Sequence, residues 1–115
     1  MRYKGFIMDS YEELEEWKRK IRPKERAVLF ALCDCCTKRV GEHRVLLSHK
    51  HVSPQTVQSR MKKPFRTKVE TALKRLVAKR LAYQHPTKGG MTYFLTELGL
   101  YVSELFEKER HDDIA

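Results

Sequence analysis

The chain has 115 residues, 24 lysines and arginines against 15 acids, and a formal net charge of +9. That length supports one domain with one core, and no apolar run approaches the ~20 residues that cross a bilayer. The opening MRYKGFIMDSYEE also lacks the apolar stretch of a secretory signal, so the expectation is a cytoplasmic protein with no membrane partner.

The charge is sorted along the chain. Between Arg60 and Lys88 stand ten basic residues and one acid, Glu70. The other fourteen basic residues are balanced by fourteen acids. The whole positive excess therefore falls in one segment. A merely solvated surface needs no such sorting, whereas a face that binds a polyanion does.

Ser10 and Glu13 have the spacing of a capping box, after residues 1–8, which read as either a short strand or a loose arm. Tyr11, Leu14, Trp17 and Ile21 then form a stripe at helical spacing, and Lys18, Arg19 and Lys20 close the helix in accord with its dipole. Pro23 suits the first position of a second helix. That helix, read over 24–38, is apolar almost all round and so belongs at the centre, with Gly41 ending it. Residues 43–48, HRVLLS, read as one short strand. Ser53–Pro54 opens a third helix that runs to about Lys63, and Pro64 stops it.

Thr67 and Glu70 make a second capping-box spacing and start a helix over 67–79. One face carries Val69, Ala72, Leu73, Leu76 and Val77. The opposite face carries Thr67, Lys68, Thr71, Lys74, Arg75 and Ala78. Strands follow at Leu81–His85 and Met91–Leu95, joined by a turn over Thr87–Gly90 whose glycines permit positive φ. Thr96 caps a last helix with Leu98, Tyr101, Val102, Leu105 and Phe106 on one side. The expected fold class is α+β, mostly helical, and the whole of 1–115 reads as one domain.

The stretch Ala72-Leu-Lys-Arg-Leu76-Val-Ala-Lys-Arg-Leu81, the TKGG tip and Tyr93-Phe-Leu95-Thr96-Glu97-Leu-Gly99 resemble the winged helix-turn-helix family, above all dimeric regulators of the MarR and PadR kind. The resemblance covers about three quarters of the chain. It implies a winged helix-turn-helix core over 23–96 with a two- to three-stranded antiparallel wing sheet, an N-terminal arm and helix over 1–22 and a dimerisation helix over 97–115. It also implies double-stranded DNA as partner and transcriptional regulation as role. One departure stands out. The family usually has glycine where this chain has Arg80, and a left-handed helix end there strains any other residue.

A major groove admits one helix, whose first turns reach base edges. Arg66, Thr67, Lys68 and Thr71 are the expected base contacts. Arg60, Lys62, Lys63, Lys74, Arg75 and Lys88 are the expected backbone contacts. The alternative is a winged helix used for protein interaction or assembly, or for binding nucleic acid without sequence choice.

The two terminal stripes, with Tyr11, Leu14 and Trp17 at one end and Leu98, Tyr101, Val102, Leu105 and Phe106 at the other, exceed what one small domain needs. They predict a homodimer interface. The rival reading is that they cover each other within one chain. Cys33, Cys35 and Cys36 are odd in number and unsuited to a disulfide framework. Only Cys33 and Cys36 share a helix face. His43, His49 and His51 supply no second CxxC pair, so the cysteines are read as small apolar fillers, with no metal and no cofactor. No phosphate-binding loop, HExxH or nucleophile elbow is present, so no catalytic residues are expected.

Overall fold

The computed structural model describes residues 10–48, 50–63 and 68–114. Residues 1–8, His49, Pro64, Arg66 and Thr67 lie outside them. The described residues form an α+β fold: α1 (Ser10–Lys20), α2 (Pro23–Cys36), β1 (Thr37–Val40), β2 (His43–Leu46), α3 (Pro54–Ser59), α4 (Val69–Ala78), β3 (Ala82–Thr87), β4 (Gly90–Leu95) and α5 (Glu97–Ile114). The strands pair as two antiparallel hairpins, β1–β2 and β3–β4.

α2 is the hub. Val28, Leu29, Leu32 and Cys36 are fully enclosed, and Ala31, Cys33 and Cys35 nearly so. α3, α4 and α5 all pack against it. Pro23 opens the helix, and Glu25 reaches back to the Arg22 backbone N–H at 3.4 Å. The helix ends earlier than its apolar run suggests. The Thr37 hydroxyl and backbone N–H both bond the Cys33 carbonyl, the former at 2.7 Å, and Thr37 turns into extended backbone. Residues read as the helix end thus become β1. Its partner β2 is shorter than the expected strand, and Gly41, at φ +64°, serves the hairpin turn.

The third helix is also shorter than expected. Ser53 caps it, accepting from the Thr56 N–H at 3.2 Å, and it ends at Ser59. α4 begins at Val69, not at Thr67. Its N-cap residue Lys68 is left-handed, with φ 56° and no side-chain cap, and Thr67, the expected start of the capping box, lies outside the described residues. At the other end of α4, Arg80 N–H bonds Val77 O and Leu81 N–H bonds Leu76 O, each at 2.9 Å. These two bonds close a Schellman motif, and Arg80 occupies its left-handed position at φ 64°.

The β3–β4 hairpin follows at once, with Thr87 opposite Gly90 across the turn. Val52 adds a single rung to its other edge, exchanging two backbone bonds with Tyr93 at 2.9 and 2.7 Å. Thr96 then joins hairpin to helix. Its hydroxyl donates to the Arg80 carbonyl and accepts from the Gly99 N–H, both at 2.8 Å.

The terminal helices pack on each other within the chain. Leu14, Val102, Leu105 and Phe106 are buried, and Trp17, Leu98 and Tyr101 are half-buried against the same core. The Tyr101 hydroxyl donates to buried Glu13 at 2.7 Å, Lys18 pairs with Glu109, and Arg26 sits 4.3 Å from the Phe106 ring centre. The surplus apolar surface that motivated a homodimer is therefore covered in cis at these residues. Of the expected interface only Tyr11, at 71% exposure, stands in the open. The physical reason is that an amphipathic stripe specifies an apolar partner but not whose.

Candidate nucleic-acid interface

α4 separates its two faces cleanly. Val69, Ala72, Leu73 and Leu76 are buried, while Lys68, Thr71, Lys74, Arg75 and Ala78 are exposed. The helix is held by its apolar side, so the polar side is free to meet a partner. Glu70 is the one acid on the helix. Its carboxylate adds to burial in holding the Tyr93 phenol above its usual value, which places Glu70 near β4.

The expected backbone contacts fall into groups. Lys74 is exposed on the outer face of α4, and Lys88 is exposed at the hairpin turn. Arg75 and Lys79 instead converge on Glu25, which is 4% exposed, at 3.4 and 3.2 Å. The Glu25 carboxylate thus ties the start of α2 to the last turn of α4. Arg75 remains about half exposed and is the part of that cluster within reach of solvent anions. Arg60 and Lys62 line a cleft of about 440 Å³ with α2 and α5 side chains, including Arg26, Phe30 and Glu107. Lys63 is exposed at the end of the described stretch 50–63. Of the expected base contacts, Lys68 and Thr71 are exposed at the start of α4, and Arg66 and Thr67 lie outside the described residues.

Among the described residues, Lys68 and Arg80 are the only non-glycine residues with positive φ. They bracket α4, and both carry positive charge. A left-handed conformation costs a side-chain-bearing residue roughly 1–2 kcal/mol. Sequence reasoning located the strain at Arg80 through its glycine-like place after Lys79. It missed Lys68, because lysine carries no local signal for that conformation.

The cysteines are core. All three are free thiols and buried. Burial raises the Cys35 thiol, and it pushes Cys36 up to about 11. Cys36 Sγ donates to the Lys50 carbonyl at 3.5 Å. Neither thiol has the lowered pKa that makes a cysteine nucleophilic.

The outer face of the β3–β4 hairpin carries a feature the sequence reading did not single out. Tyr83 and Phe94 face each other across the strands with near-parallel rings, 6.3 Å between centres and 11° between planes. His51, one residue before the Val52 rung, lies 5.6 Å from Phe94 and stacks on His85 at 4.6 Å. Period-two alternation in YQHPT and MTYFL is the signal that could have found the row. The neighbour at His51 comes from a distant segment and was not legible.

Set against models of known protein families, curated proteins and solved structures, the chain matches none at a significant level.

Proposed function

We propose that this chain is a winged helix-turn-helix protein that binds double-stranded DNA and regulates transcription, with α4 entering the major groove and β3–β4 as the wing beside it. The order α2, α3, α4, hairpin, α5 and the Val52 rung at the hairpin edge support the winged-helix reading. The observation that carries the function is the polar face of α4. It is held in place by a buried apolar face, exposes Lys68, Thr71, Lys74 and Arg75, and is followed at once by a hairpin with Lys88 at its tip.

In this reading, Lys68 and Thr71, in the first turn of α4, meet base edges, with Arg66 and Thr67 just before them. Lys74, Arg75 and Lys88 meet phosphates and supply affinity that falls with salt. The backbone strain at Lys68 and Arg80 is consistent with a functional requirement at both ends of α4, since glycine or asparagine would hold the same φ at lower cost. The fold needs no second copy to present this face.

Selection of bound sequences from a random duplex library tests the reading. A defined motif is expected, and a near-palindrome within it would reveal two copies on one site. If steeply salt-dependent binding persists with no motif, the regulator reading fails and sequence-independent binding replaces it. If no duplex binds at low salt, the basic face serves an acidic protein partner.

A further inference from the structure

The aromatic row lies on the hairpin that the proposed function uses as its wing, on residues that reading leaves unused, and it shares only Lys88 with the duplex contacts. Register places Tyr83 of β3 opposite Phe94 of β4, and the antiparallel Val52–Tyr93 rung sets His51 on the far side of Phe94. Three rings thus stand side by side across three extended segments, with His85 stacked on His51 at one end. At an inter-strand spacing of about 4.8 Å, the row is roughly 10 Å wide. It faces solvent. Tyr83 is 59% exposed, His51 and His85 are exposed, and Phe94 is half-buried between them.

Exposed rings of this kind accept a flat π-surface or an apolar side chain. The charge around the row separates these occupants. The strands and the segment that supply the rings contain no aspartate or glutamate, and the groove beside Tyr83 and Phe94 is lined by one acid, Glu97, and one base, Arg80. Lys50 adjoins His51, and Lys88 sits at the hairpin turn, both exposed. With Lys50, Arg80 and Lys88 against Glu97, the exposed charge near the row is on balance positive. Unpaired nucleobases on a phosphate backbone suit both the rings and that balance. Bases stack on aromatic side chains with little regard to sequence, and flanking cations track the phosphates. Paired bases cannot reach such a row, because their faces are already stacked within the duplex.

We infer that the outer face of the β3–β4 hairpin is a stacking platform for single-stranded nucleic acid, with Tyr83, Phe94, His51 and His85 holding unpaired bases and Lys50 and Lys88 holding the adjoining phosphates. The ligand is a free single strand.

The test compares a labelled twelve-nucleotide thymidine tract with an abasic tract of the same length and charge, by fluorescence anisotropy at low salt. The thymidine tract is expected to bind at least tenfold more tightly. Tyr83→Leu and His85→Ala should each cut that preference about fivefold or more, whereas Tyr83→Phe, which keeps the ring, should retain it. All three variants change exposed positions that the duplex reading does not use, so duplex affinity should change far less than the preference for the thymidine tract. Equal binding of the two tracts, an unchanged preference in both ring-deleting variants, or no binding of either tract would overturn the inference. Duplex binding measured alongside separates the two sites. Loss of the platform with duplex affinity intact leaves α4 standing, and a platform without duplex binding removes only the α4 reading.

Discussion

A β-carbon on Gly99 would overlap the backbone carbonyl oxygen of Leu81 and crowd the Leu95 side chain. Gly99 is in the first turn of α5, and Leu81 is the residue at which the chain leaves the α4 Schellman motif. Thr96 clamps the same junction through Arg80 O and Gly99 N–H. The place where α5 crosses the hairpin base thus admits no side chain. Gly99→Ala should destabilise the fold by roughly 3 kcal/mol, because the obstacle is backbone and cannot rotate away. Urea denaturation measures this, and an unchanged midpoint would show that α5 can shift without cost.

Arg80 is the counterpart at the end of α4. Glycine adopts φ 64° freely, so Arg80→Gly removes strain that outweighs the added freedom of the unfolded chain. A gain of about 1 kcal/mol is expected, read as a rise of a few degrees in Tm by calorimetry. If arginine is retained for function, the same variant should lose nucleic-acid affinity while gaining stability.

The Arg80 end of α4 was legible because its chemistry is local, whereas the Gly99–Leu81 contact joins residues 18 apart and was not. Ser53–Pro54, Thr96 as a cap, the leucine step into the hairpin and the glycine-like place of Arg80 are each decided within about five residues. The β1 strand was not legible, since CDCCTKRV continues an apolar helix and only Thr37's bonds to Cys33 and the pairing with β2 turn it outward. The Glu25–Lys79 contact spans 54 residues, and no spacing rule reaches that far. The same limit applies to the terminal stripes: their periodicity asks for an apolar partner without naming it, and the neighbouring helix of the same chain covers Leu14, Val102, Leu105 and Phe106.

That packing changes what a charge in α5 should do. Phe106 is fully buried, edge-on to Phe30 at 6.4 Å between ring centres and beneath Arg26. Phe106→Glu should therefore unfold the chain, not release soluble folded monomers, at a cost of 3 kcal/mol or more, roughly. Circular dichroism and light scattering together decide between these outcomes. Tyr11→Glu, at the exposed end of α1, should leave stability within about 0.5 kcal/mol.

Cys36 makes the fold sensitive to alkali. Its thiol ionises near 11 in the folded chain and nearer 9 when exposed. The unfolded state therefore loses its proton first as pH rises, and from about pH 9 to 11 the equilibrium is drawn toward unfolding. Below pH 9 this contribution is fully retained. Cys36→Ala should flatten the decline in urea midpoint over that window relative to the native sequence. Thiol labelling at pH 8 should likewise be slow until denaturant is added, because all three cysteines are enclosed.

The last prediction distinguishes positioning from reading on the α4 face. Lys74 is exposed on the outer side of α4, and Lys88 is exposed at the hairpin turn. Neither is engaged by Glu25, in contrast to Arg75 and Lys79. Lys74→Ala and Lys88→Ala should each weaken every duplex alike and reduce the slope of log affinity against log salt by about one. Arg75→Ala should change that slope less, because its charge is already shared with a buried carboxylate, and it should also cost up to about 1 kcal/mol of stability. Lys68→Ala and Thr71→Ala sit where the helix start would meet base edges, and each should relax base choice at one position by ~1–3 kcal/mol. Affinities for a selected duplex and its single-base variants, measured across a salt series, read both quantities from one data set. Uniform losses from all four exposed variants would mean that α4 holds the backbone without reading sequence. A base-specific loss from Lys68→Ala or Thr71→Ala, with slopes unchanged, would fix the start of α4 as the reading end.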